Sequence, residues 1–254
     1  MVSNGKFARV ALIMVALIIV CTPSFAFAVE EDLNDEVLSE IIGRARDFEK
    51  AFLGNFSRRR ATARVLHGKT GELKSRRDFV VDVWDYHGES PINEVRNCRI
   101  DDEPVNASDC AEKRRLKPTF RLFNDDPIGD TDKYYRYEYQ GVATWKGQRS
   151  HRVRVIPLEN TTRHLKGEVF FLVDSLRFVG MHITLADYPF GLKDLSIDLS
   201  FEDQDGLPVI ASGESRVHIY VPFLINERTE TVFTASEQRL LKERHIAHTA
   251  STGG

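Results

Sequence analysis

The chain is poor in almost everything that names a chemistry. It has 3 Cys, 3 Met and 2 Trp in 254 residues. Its eight histidines are His67, His87, His151, His164, His182, His218, His245 and His248. None belongs to an H-E-x-x-H helix or a C-x-x-C-type ligand set. His245 and His248 are close in sequence but lie in the C-terminal tail, and His151, His182 and His218 fall on separate strand patterns. No G-x-S-x-G precedes a helical pattern, and no Gly-rich loop follows a strand pattern. No catalytic residue, metal or cofactor is therefore expected. Excess positive charge is missing as well. There are 35 Lys and Arg against 38 Asp and Glu, a net charge of −3, which fits nucleic acid poorly.

One apolar run is present, and it is short. Residues 10–20 are eleven apolar residues without a break, where a membrane span needs about 20. Lys6 and Arg9 precede the run, and Ala26-Phe27-Ala28 follows it with small residues at the positions a signal peptidase reads. Residues 1–28 are predicted to be a signal peptide cleaved after Ala28. An uncleaved anchor is the alternative, and the length of the run argues against it. A lipoprotein site at Cys21 fits poorly, because Val20 stands where a small residue is wanted. The remaining 226 residues hold 33 basic and 38 acidic side chains, a balance of −5. They suit one domain, expected over residues 29–236, with a polar tail over 237–254 that has no sheet pattern.

Export leaves Cys98 and Cys110. An even pair in an oxidising compartment reads as a disulfide. Closing so short a loop is worth about 3 kcal/mol in chain entropy. A redox or metal site is the other reading, and the lack of a His between the two argues against it.

Periodicity gives the elements. Residues 34–53 read as a helix with Asn34 as N-cap, Gly54 as the C′ residue, and a stripe of Val37, Ile41, Ala45, Phe48 and Phe52. The stripe either packs as core or covers a cavity. Strand patterns follow, apolar and polar in alternation. They place Val81 and Val83 on one face, then Val153 and Val155, then Val179, Met181 and Ile183, then Leu195, Ile197 and Leu199. The run Glu168-Val169-Phe170-Phe171-Leu172-Val173 is apolar on both faces, so its back needs a cover too. Tyr135, Tyr137 and Tyr139 project together from one strand face. Asp205-Gly206 is a hairpin signal. Residues 103–132 read as a long loop with one short helix near 111–116. Arg58-Arg59-Arg60 reads as a solvated edge, with an anionic lipid headgroup as the lesser alternative, and Asp82 with Asp85, and Asp194 with Asp198, read as solvated strand faces.

These features carry a resemblance. The Tyr-rich strand, Gly147, Val153-Arg154-Val155-Ile156-Pro157, Lys166-Gly167-Glu168-Val169-Phe170-Phe171-Leu172-Val173-Asp174 and the Phe178-Val179 strand resemble the outer-membrane lipoprotein-sorting proteins, the periplasmic lipoprotein carrier and its relatives. The match covers residues 134–236; residues 87–132, with the cysteine pair, have no counterpart. The resemblance implies a mainly β fold with helices (α+β), an open, incomplete antiparallel β-barrel of about eleven strands. The N-terminal helix would cover its concave face. It also implies a periplasmic carrier that binds acyl chains of a lipid or lipoprotein, with an inner-membrane exporter or an outer-membrane acceptor as further partners.

No ligand residue transfers one by one, so the expected wall comes from strand faces: Val81, Val83, Val153, Val155, Val169, Phe171, Val179, Met181, Ile183, Leu195, Ile197 and Leu199. Val37, Ile41, Phe48 and Phe52 form the expected lid. A non-transporting envelope sensor or interaction domain, its core filled by its own side chains, is the second reading.

Overall fold

The structure is a computed structural model that describes residues 23–86, 91–106, 134–162 and 164–242, the first eleven by backbone alone. Among the described residues there is one helix, α1 (Pro23–Ala51), followed by eleven strands. The strands are β1 (Gly54–His67), β2 (Leu73–Tyr86), β3 (Ile92–Ile100), β4 (Glu103–Pro104), β5 (Tyr135–Trp145) and β6 (Gln148–Pro157). They continue with β7 (Leu165–Leu172), β8 (Phe178–Leu185), β9 (Leu192–Gln204), β10 (Leu207–Val221) and β11 (Ile225–Leu240).

All eleven strands form one open sheet in the order β4-β3-β2-β1-β11-β10-β9-β8-β7-β6-β5. Every pairing is antiparallel. Chain neighbours pair as hairpins with one exception, β4 and β5. First and last strands are joined, from Asn55 opposite Leu240 to His67 opposite Glu227. The sheet is open between β4 and β5, so residues 105–134 must link its two edges; the short helix expected near 111–116 lies outside the described residues. Asp205-Gly206 makes the expected two-residue turn from β9 to β10, with φ of 53° and 84°.

Three boundaries differ from expectation. The helix starts at Pro23, where a missing N–H costs nothing, so Asn34 lies inside it and caps nothing. The helix stops at Ala51, which leaves Phe52 beyond it. Gly54 is the first residue of β1 rather than a helix cap, and a Cβ there would come within 2.5 Å of the Asp85 carbonyl oxygen. The end of the chain differs too. The tail expected from residue 237 begins later, because β1 offers a partner and β11 runs on to pair Leu240 with Asn55.

Residues opposed across neighbouring strands share a face. One row runs over ten strands: Tyr139, Val153, Val169, Met181, Leu199, Gly213, Phe233, Ala61, Phe79 and Cys98. The row beside it on the reverse face passes Glu138, Arg154, Glu168, His182, Asp198 and Glu214. One face of the sheet is apolar and the other is charged.

Candidate functional site

The apolar face has two halves. Over β5–β9 it is packed. Ile41 and Ala45 of α1 join Tyr135, Val153, Val155, Leu165, Val169, Phe171, Phe178, Ile183 and Leu185 in one buried cluster. Val37, Leu38, Tyr137, Tyr139, Met181, Leu195, Ile197 and Phe201 pack against it, partly buried. Over β10, β11, β1 and β2 the same face carries Val217, Phe233, Phe79 and Val81, which are partly buried and stand outside that cluster.

Among the expected wall residues, Val153, Val155, Val169, Phe171 and Ile183 come together in the cluster, and Met181, Leu195 and Ile197 border it. Leu199 is partly buried beside Gly213, where a Cβ would meet Leu199 Cδ2 at 2.6 Å and Phe233 Cε1 at 2.5 Å. Val81 and Val83 lie on β2, away from the cluster, with Val83 buried. Val179 is a correction. A register shift between Phe170 and Phe171 sets Phe178 opposite Phe171, so Phe178 enters the cluster and Val179 is buried outside it. Of the expected lid residues, Val37 and Ile41 reach the cluster, while Phe48 and Phe52 are partly buried outside it. Alternation alone cannot see a bulge, since one extra residue inverts the facing.

Polar groups enter the apolar face at a few points. Tyr139 Oη is 2.7 Å from His151 Nδ1. Burial lowers the His151 pKa and raises that of Tyr139. The Leu165 amide donates to Tyr135 Oη at 3.3 Å. Arg59 lies on this face, its guanidinium 5.4 Å above the Phe233 ring, with Nε donating to Ser57 Oγ at 3.1 Å. Burial lowers the Arg59 pKa, and Asp85 opposes that shift.

The opposite face corrects two expectations. Asp82 is buried, not solvated, at 1 % exposure. It accepts from Arg58 Nε at 2.7 Å, Arg58 Nη2 at 3.1 Å and Arg96 Nε at 2.8 Å. These bonds, led by the one from Arg58, hold its pKa down at about 2. Arg58 also binds Glu237 at 2.7 Å, so Arg58-Arg59-Arg60 crosses the middle of the sheet and is no edge. The back of β7 is covered as its composition requires: Trp145 stacks on Phe170 at 4.2 Å.

Cys98 is buried on β3, and Cys110 lies outside the described residues. The three strand histidines stay apart, with His182 bonded to Asp198 at 2.7 Å and His218 to Asn226 at 3.0 Å. Among the described residues no three His, Cys, Asp or Glu side chains could jointly hold a metal.

The fold and its faces define an open antiparallel half-barrel with an apolar side. No protein-family model and no curated protein matches the chain. Solved structures do resemble it. One is a putative outer membrane lipoprotein-sorting protein domain from Vibrio parahaemolyticus, at TM-score 0.39 and 10% identity, covering 81% of this chain and 93% of that one. A DUF1329 family protein from Desulfovibrio piger gives TM-score 0.36 and 14% identity over 79% and 90%. A LolA superfamily protein from Nitrosomonas europaea gives TM-score 0.33 and 8% identity over 81% and 94%.

Proposed function

We propose that this chain is a periplasmic carrier that binds the acyl chains of a lipid or lipoprotein on the apolar face of its sheet. It is a binding function without a chemical step. The observation that carries it is the division of that face. Half is filled by the protein's own helix and aromatic side chains, and half, around Phe79, Val81, Val217 and Phe233, is apolar wall that stays partly exposed. A methylene transferred onto such a wall gains about 0.8 kcal/mol when buried. Arg59 stands within this wall, opposite Val81 and over Phe233, where it suits the polar end of a bound acyl group. The helix is read as a cover of the apolar face that runs between β5 and β10, an assignment supported by the full burial of Ile41.

The second reading is a non-transporting envelope sensor or interaction domain. The tight packing of Phe171, Phe178 and Ile41 favours it for the β5–β9 half.

A fluorescent fatty-acyl probe separates the two. Val81→Lys puts a charge on the exposed wall, and Val232→Lys puts the same charge on the opposite face, where Val232 is half exposed. The carrier reading expects micromolar binding that Val81→Lys abolishes and Val232→Lys leaves intact, with both variants folded. A folded protein that binds no probe supports the interaction domain.

A further inference from the structure

Two turns at one end of the sheet hold bare aromatic rings outward. The β8–β9 turn, Pro189-Phe190-Gly191-Leu192, is closed by the Leu192 amide donating to the Pro189 carbonyl at 3.0 Å. The β10–β11 turn, Val221-Pro222-Phe223-Leu224, is closed by the Leu224 amide donating to the Val221 carbonyl at 3.1 Å. The Tyr220 amide donates to the Gly191 carbonyl at 2.8 Å, which ties the turns together. A third loop joins through the Ala186 amide and the His164 carbonyl at 2.8 Å, and it carries the exposed Leu158. Phe190 is 90%, Phe223 107% and Leu224 80% exposed.

The backbone sharpens the point. In a type II turn, where Pro is common in second place, the third residue takes a positive φ, a place for Gly. In the Pro222 turn that residue is Phe223, at φ 65°. A bulky side chain rarely adopts this conformation. The ring is fully exposed, so no packing among the described residues repays the fold for holding it so, and strained, exposed positions of this kind collect where a protein acts on something else.

We propose that these turn tips insert into the surface of a lipid bilayer. Three features select lipid over a protein partner. Each turn closes on the amide of its fourth residue, and Pro222 has no N–H, so the tips carry less unpaired backbone into an apolar medium than an open loop would. Each ring offers about 150–250 Å², so two rings and a leucine fall short of the ~800 Å² per partner of a stable protein interface. Just behind the tips, Lys193 Nζ lies 5.6 Å over the Tyr220 ring. That pair has the aromatic body and cationic head that settle at headgroup depth. Charges of both signs flank the tips, Asp187, Lys193 and Asp194 among them, so apolar insertion rather than net charge drives the contact. The inference is independent of acyl binding on the sheet, which uses other residues.

The test uses protein recovered from the soluble periplasmic fraction, its mass checked for loss of residues 1–28. Co-sedimentation is measured with phosphatidylcholine vesicles, with and without phosphatidylglycerol, for the wild type, Phe190→Ala, Phe223→Gly and the double variant. Wild type should bind neutral vesicles. Each single variant should weaken binding about tenfold, and the double variant about a hundredfold. Phe223→Gly should also raise the thermal midpoint while binding falls, which a structural role for the ring would not produce. Both single variants should keep wild-type acyl-probe binding. Wild type that ignores neutral vesicles, or a double variant that binds like wild type, overturns the proposal. So does binding that needs phosphatidylglycerol and vanishes in salt. Self-association lost in the same variants, with no vesicle binding, would reassign the tips to a second copy of the chain.

Discussion

Asp82 is where a single side chain does most to set the behaviour of the fold. A free aspartate titrates near 4, and the arginine bonds hold this one at about 2. Its native pKa is depressed, so its contribution to stability is complete above about pH 4 and is lost as pH falls through about 2. His151 acts in the same sense at higher pH. Burial depresses its pKa, so the stability tied to its neutral ring is present above about pH 6.5 and declines as the solution is acidified below that. Urea titrations from pH 8 to pH 2 should give two falling limbs. Asp82→Asn should flatten the lower one and cost about 1.5–3 kcal/mol at neutral pH. A lower limb unchanged in Asp82→Asn would show that other carboxylates produce it. None of this could be read beforehand, because the partners of Asp82 sit 24 and 14 residues away in sequence and only the register brings them together. Gly180 is a second case. A Cβ there would collide with the indole of Trp145, which lies over it. Gly180→Ala should unstack Trp145 from Phe170, cost about 1–3 kcal/mol and shift the tryptophan emission; unchanged emission at wild-type stability would deny the contact.

At the scale of elements, the helix stripe was legible and its limits were not. Val37, Ile41 and Ala45 recur at helical spacing and reach the packed cluster, as does Leu38 beside them. Phe52 continues the same spacing but falls after the helix has ended. The strand faces were legible wherever alternation ran unbroken, as in β6. They failed at β8, where one bulge moves Phe178 inward in place of Val179. The type II turn at Pro222 was hidden for a related reason, since Phe223 occupies the place where Gly would have announced it. Ile41→Ala removes a fully buried side chain and should cost about 2–5 kcal/mol in chemical denaturation. A loss below 1 kcal/mol would mean that α1 is peripheral to the sheet. The pairing of Cys98 with Cys110 belongs to this scale as well, since it would pin β3 to the segment that follows it. Thiol titration of denatured, unreduced exported protein should find no free thiol; two would disprove the bridge.

At the scale of the whole molecule, the eleven described strands form one sheet cut open between β4 and β5 and joined through β1 and β11. That joining pairs residues from opposite ends of the chain, which no local pattern announces. What local pattern did announce was one-sidedness, because a period of two dictates it strand by strand. The division of the apolar face into a packed half and a half-exposed wall depends on where the helix sits, and sequence alone could not assign it. Acyl binding on that wall is the central claim, and native mass spectrometry of the protein purified without denaturation tests it most directly. Wild type and Val232→Lys should carry adducts of acyl-lipid mass that organic extraction removes, and Val81→Lys should be bare. A folded wild-type protein that flies at its bare polypeptide mass, in the presence of envelope lipid extract, would contradict it.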